Sequence, residues 1–149
     1  MLTVRQQGDF VKAWFPKAKV QYAMIGGEPA MRFRLHLQPT STSGSYAVDF
    51  VYVECFPPRV YVVDPKPVKE AHGQPTPHLN EDETLCLFDP GKKEWSPNDP
   101  LVRTTVQWAA RWLFHYEHWL TFGEWRGDQP ADGIPPATSP AITAGQEGV

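Results

Sequence analysis

The chain has 149 residues, 41% of them hydrophobic and 13% aromatic, which suits one domain with a single core and leaves little for a second. With 14 Lys and Arg against 17 Asp and Glu the formal charge is −3, and no basic run marks a predicted helix face, so nucleic acid is not an expected partner. No segment has the apolar length of a membrane span, and MLTVRQQGDF lacks the hydrophobic region of a signal peptide; a cytoplasmic protein with no membrane contact is expected, its two cysteines, Cys55 and Cys86, kept reduced.

Residues 9–15, DFVKAWF, set Phe10, Val11, Trp14 and Phe15 at helical spacing behind an Asp9 cap, and Pro16 ends the pattern; this predicts a short first helix. From Lys19 the period changes to two. KVQYAMI, and MRFRLHL with Met31, Phe33, Leu35 and Leu37 alternating with Arg32, Arg34 and His36, predict strands joined at Gly26-Gly27. After the TSTSGS loop, YAVDFVYVECF places Val48, Phe50, Tyr52 and Glu54 on one face, and RVYVV follows Phe56-Pro57-Pro58 as another strand. The sum is an α+β protein built on an antiparallel meander of three or four strands.

Between Asp64 and Pro100 lie more than thirty residues with little periodicity, a length that in a small domain points to function. Asn98 or Asp99 then caps and Pro100 opens one helix through LVRTTVQWAARWLFHYEHWLTFGEW, with Leu101, Thr105, Trp108, Trp112, Tyr116 and Trp119 forming an aromatic stripe toward the sheet. The domain is expected to span 1–127, and the tail 128–149, rich in Pro, Gly, Ala, Ser and Thr, to be disordered.

Few residues offer chemistry. His115 and His118 lack the i, i+4 spacing and the companions that a helical zinc pair needs, and they fit a helix flank; no metal or cofactor is expected. Trp108, Trp112 and Trp119 fit core packing. Cys55, in a strand, reads as structural. Cys86, in the long irregular segment within TPHLNEDETLCLF, has two readings: an inert small hydrophobe, since no basic neighbour lowers its pKa, or a nucleophile on accessible backbone. His78, eight residues upstream, is its one near partner in sequence, with a carbonyl-capping loop histidine as the plain alternative. The acidic turn Glu81-Asp82-Glu83 is given no catalytic role.

The order of these pieces resembles the ubiquitin-conjugating enzyme family: a first helix, a meander, Phe56-Pro57-Pro58, a Pro-containing loop, Leu85-Cys86-Leu87, then Trp95-Ser96-Pro97 before a helix, over about residues 9–127. In that family a His-Pro-Asn motif precedes the thioester-forming cysteine, the Asn eight residues ahead of it. Thr76-Pro77-His78 falls in that register, with His78 at the Asn position; aligning on His78-Leu79-Asn80 recovers His and Asn but loses the Pro and shortens the spacing. Trp95 follows Cys86 by nine residues against the family's usual eight, so the Asp89–Lys93 turn holds one extra residue. FHYEHWLTFGEWRG is similar to the conjugating enzymes of type II cyclic-oligonucleotide-based antiphage signalling (CBASS) systems, which also tend to carry His for the Asn.

The resemblance implies a ubiquitin-conjugating fold: an N-terminal helix, a four-stranded antiparallel meander, a long active-site loop and a C-terminal aromatic helix. It implies a transferase that carries a protein C-terminus as a thioester on Cys86 and passes it to an amine, with His78 as oxyanion donor or loop-ordering group and general base as its second role. The implied partners are a cGAS-like cyclic-nucleotide synthase (a nucleotidyltransferase) or a ubiquitin-like protein as donor, an amine acceptor, and a separate activating enzyme, this chain having no room for a fused one. A non-catalytic binding module of the same fold, a conjugating enzyme of another bacterial ubiquitin-like pathway, and a small cysteine hydrolase are the alternatives.

Overall fold

Thr-Val-Arg-Gln, at residues 3–6, sets the start of the first helix. In the computed structural model, which describes residues 1–88 and 94–126 and the backbone of 142–144, α1 runs Val4–Trp14. Thr3 Oγ1 accepts from the Gln6 N–H at 3.1 Å, and Gln6 Oε1 accepts from the Thr3 N–H at 2.9 Å, a reciprocal box that satisfies two otherwise orphaned donors. The helix therefore begins well before the expected Asp9 cap. Gly8, which looks like a breaker, is inside it and buried, because a Cβ there would overlap the Tyr22 hydroxyl. Val4, Gln7, Gly8 and Val11 form the buried face, and Trp14, from the same helical pattern, is 45% exposed.

The strands β1 (Val20–Ile25), β2 (Glu28–Leu37), β3 (Tyr46–Val53) and β4 (Arg59–Asp64) pair antiparallel in that order. Gly26 and Gly27, with φ of 58° and 84°, make the two-residue turn between β1 and β2 that the right-handed strand twist favours. The period-two pattern holds: Met31, Phe33, Leu35 and Leu37 of β2 and Val48, Phe50 and Tyr52 of β3 are buried, while Arg32 and Arg34 are not. Phe33 and Phe50 are register partners and stack at 4.8 Å. Ile142–Ala144 (β7 below) adds antiparallel to Leu35–Leu37, beyond the end of β1; the rest of the expected disordered tail, 128–149, lies outside the described residues.

The segment after β4 is more structured than its composition suggests. β5 (Glu70–Ala71) and β6 (Gln74–Pro75) form a miniature hairpin turning on His72 and Gly73, both at positive φ. It is fastened to the last helix by the Val68 N–H donating to Tyr116 Oη at 2.8 Å and by His72 Nε2, 2.9 Å from the Leu120 carbonyl oxygen.

That helix, α2, runs Thr105–Phe122, shorter than expected at both ends. Residues 101–104 form turns, and Gly123, at φ 78°, caps the C-terminus by donating its N–H to the Trp119 carbonyl at 2.7 Å. Buried Gln7 bridges α1 to the entry of α2, donating to the Asp99 carbonyl at 2.9 Å and accepting from the Leu101 N–H at 2.8 Å. Leu101, Trp112, Tyr116 and Trp119 of the expected stripe are buried, joined by Val106, Ala109 and Leu113, and with the sheet and α1 they form one continuous core. Helix, four-stranded antiparallel meander and helix, in that order, are consistent with a ubiquitin-conjugating-like fold. The last strand is β7 (Ile142–Ala144). Among the described residues, no helix is long and apolar enough to cross a membrane.

Candidate functional site

His78 and Cys86 face each other across a tight hairpin. Leu79 and Leu85 form an antiparallel bridge, and one position outward the Cys86 N–H donates to the His78 carbonyl at 3.0 Å. The sequence spacing of eight is the spacing of opposite positions on this hairpin. Its tip is fixed locally: the Asn80 N–H donates to the Thr84 carbonyl and the Glu83 N–H to the Asn80 carbonyl, each at 2.9 Å, while Asp82 Oδ1 accepts from the Thr84 N–H at 3.0 Å and its hydroxyl at 2.6 Å. The Thr84 hydroxyl and then its amide hold the Asp82 carboxyl below its ordinary range. The acidic turn is thus a structural brace. The Leu85 N–H donates to the Val60 carbonyl at 3.0 Å and ties the hairpin to β4.

α2 supplies the other support. Trp112 Nε1 donates to the His78 carbonyl at 2.9 Å, so that oxygen receives two N–H groups, one from the hairpin and one from the helix. His78 itself has φ 55°, a left-handed conformation uncommon outside glycine, and two donors on one carbonyl help to hold it there. Trp112 is buried, as core packing requires, but its indole N–H is spent on this loop. The imidazole of His78 packs against Trp125, with ring centroids 5.2 Å apart.

Trp125 reaches that position because α2 stops. The left-handed turn at Gly123 reverses the chain, and Trp125 lies back along the helix, 5.4 Å from Trp112 and 5.9 Å from His115 between ring centroids. Had the helix continued through Trp125 as expected, the indole would lie about three to four turns along the helix from these residues. The glycine after the last periodic residue was the available signal for this reversal.

His115 corrects the expectation of a flank histidine. It is 3% exposed, and neither ring nitrogen has a hydrogen-bond partner. Burial foremost, then the neighbouring His118, His78, Arg126 and Arg111, pushes its pKa below the ordinary value of 6.5 and favours the neutral ring. Among the described residues, no group of three or more His, Cys, Asp or Glu is placed to hold a metal ion.

The two thiols lie in different settings. Cys86 is half-buried between the buried Leu85 and Leu87, with its Sγ 3.8 Å from the Phe88 carbonyl oxygen. Cys55, expected within a strand, is in the turn after β3, exposed and at φ 74°. Trp95, in Trp95-Ser96-Pro97, packs on Tyr52 at 6.3 Å, while the Asp89–Lys93 turn and its extra residue lie outside the described residues. On the hairpin's β4 side a cleft of about 350 Å³ has Val62, Leu79, Pro67, Pro75 and Thr76 in its lining together with the charged Lys66, Lys69, Glu81 and Glu83.

The hairpin thus brings a thiol and a histidine to opposite positions of one braced loop. A search of the curated proteins gives no significant match. A family model described as the type II CBASS E2 protein matches residues 7–132, which takes in most of α1, the meander, the hairpin and α2.

Proposed function

The chain belongs to the type II CBASS E2 proteins, and from this premise we propose that Cys86 carries the C-terminal acyl group of a cyclic-nucleotide synthase and hands it to an amine. Membership gives the chain a conjugating-enzyme-like role in CBASS. The single observation that carries the finer reading is the hairpin register, which sets His78 opposite Cys86 and holds the His78 backbone with two donors.

The chemistry has two acyl transfers. The Cys86 thiolate attacks the carbonyl of a thioester presented by a separate activating enzyme; a new C–S bond forms, the old one breaks, and the activating enzyme's sulfur leaves as thiolate. An acceptor amine then attacks the Cys86 thioester. The carbonyl oxygen becomes an oxyanion, the C–S bond breaks, Cys86 leaves as thiolate, and the amine gives up a proton to solvent as the amide forms. An imidazole N–H of His78 stabilises that oxyanion or orders the loop around it. Half-burial of Cys86 suits both steps, since the sulfur stays reachable by a protein-borne acyl group.

Incubating the protein with the synthase, the activating enzyme and ATP tests this. The expected product is a covalent adduct that thiols cleave, that Cys86→Ala abolishes and that Cys86→Ser converts to a thiol-resistant oxyester. An adduct that survives in Cys86→Ala would overturn the assignment.

A further inference from the structure

We propose that Trp125 is a positioning residue for His78: its indole, fixed on α2 by Trp112 and His115, sets the orientation of the His78 ring during transfer from Cys86. This rests on the thioester reading above. Three observations lead to it. His78 is exposed as a residue, on a loop at φ 55°, and its ring packs against the Trp125 indole. Trp125 is half-buried and touches the rings of Trp112 and His115, both buried on α2, so its own orientation is set by the helix. The left-handed cap at Gly123 returns the chain to this place rather than carrying the indole off along the helix axis.

Two indoles of one structural unit thereby hold the two ends of one residue. Trp112 holds the His78 carbonyl through its Nε1–H, and Trp125 holds the imidazole by ring contact at 5.2 Å. An N–H aimed at a developing oxyanion must lie within a narrow distance range to be effective, and a ring free to turn loses most of that benefit. Trp125 touches neither sulfur nor substrate in this account and acts only through His78.

The test separates loading of Cys86 from its discharge. Trp125→Ala should load at the wild-type rate and discharge to an amine about tenfold more slowly, while Trp125→Phe, which keeps an aromatic face, should recover most of the rate. The double variant His78→Ala/Trp125→Ala should discharge no more slowly than His78→Ala alone. Multiplicative losses in the double variant, or wild-type discharge by Trp125→Ala, would overturn the proposal. If Trp125→Ala fails to melt cooperatively, Trp125→Leu, which also lacks the aromatic face, carries the same cycle. Independently of activity, the His78 imidazole NMR resonance, assigned by its loss in His78→Ala, should move toward an ordinary histidine position when the indole is removed; an unmoved resonance would overturn the contact. A wild-type protein that never forms the Cys86 thioester sinks the functional reading itself, whereas a thioester that forms and discharges without regard to Trp125 sinks this inference alone.

Discussion

At His78 one carbonyl oxygen accepts from Cys86 N–H and from Trp112 Nε1–H, so each donor's removal has a separable effect. Trp112→Phe keeps most of the buried volume and deletes one donor. The expected cost is about 1 kcal/mol in denaturant unfolding, the net value of a hydrogen bond, with slower discharge of the loaded cysteine because the His78 backbone is less firmly held. Wild-type stability and wild-type discharge in this variant would show that the indole bond does not support the loop.

His115 gives a pH dependence of known sign. Its folded pKa lies below 6.5, so the folded protein resists a proton that the unfolded chain accepts. The contribution to stability is complete above the ordinary value and is lost as pH falls through it toward the lower folded value. Denaturant midpoints between about pH 7.5 and about pH 5.5 should therefore decline, and His115→Leu should flatten the decline. Because neither ring nitrogen has a partner, the leucine should not destabilise the protein near neutrality. An unchanged slope in His115→Leu would contradict this assignment.

At the scale of elements, strands were legible and helix ends were not. The alternation of Met31, Phe33, Leu35 and Leu37 with Arg32 and Arg34 fixes a face at every step, because a slip of one residue would bury the arginines. Helix limits depend instead on single residues. The Thr3-to-Gln6 box lies upstream of the apolar run that suggested Asp9, and Gly8 between them serves a close approach by Tyr22 that only the tertiary structure reveals. Gly8→Ala should destabilise the protein: overpacking costs about 1–3 kcal/mol, against about 1 kcal/mol gained by Ala over Gly in a helix. Adding Tyr22→Phe, which removes the overlapping hydroxyl, should restore part of the loss in thermal unfolding. A Gly8→Ala protein as stable as the parent would show that Tyr22 moves aside freely.

For the molecule as a whole, the pair Cys86 and His78 could be found from spacing and resemblance, since eight residues is a property of the chain that the hairpin conserves in space. Its support could not. Trp112 appeared as core, His115 as flank and Trp125 as helix, and their convergence depends on a chain reversal at Gly123 and on the distance between α2 and the loop. Long-range contacts of this kind leave no periodic trace in a sequence. The same limit applies to Cys55, whose strand-like neighbours conceal an exposed turn.

That difference between the thiols supplies the most direct test of the central claim, because the chain carries an exposed Cys55 and a half-buried Cys86 as each other's controls. After incubation with synthase, activating enzyme and ATP, peptide mass spectrometry under non-reducing conditions should place the acyl group on Cys86, leave Cys55 unmodified, and show the modified peptide lost on brief thiol treatment. Acylation that follows exposure and falls on Cys55, or that falls on both thiols equally, would contradict Cys86 as the acyl carrier.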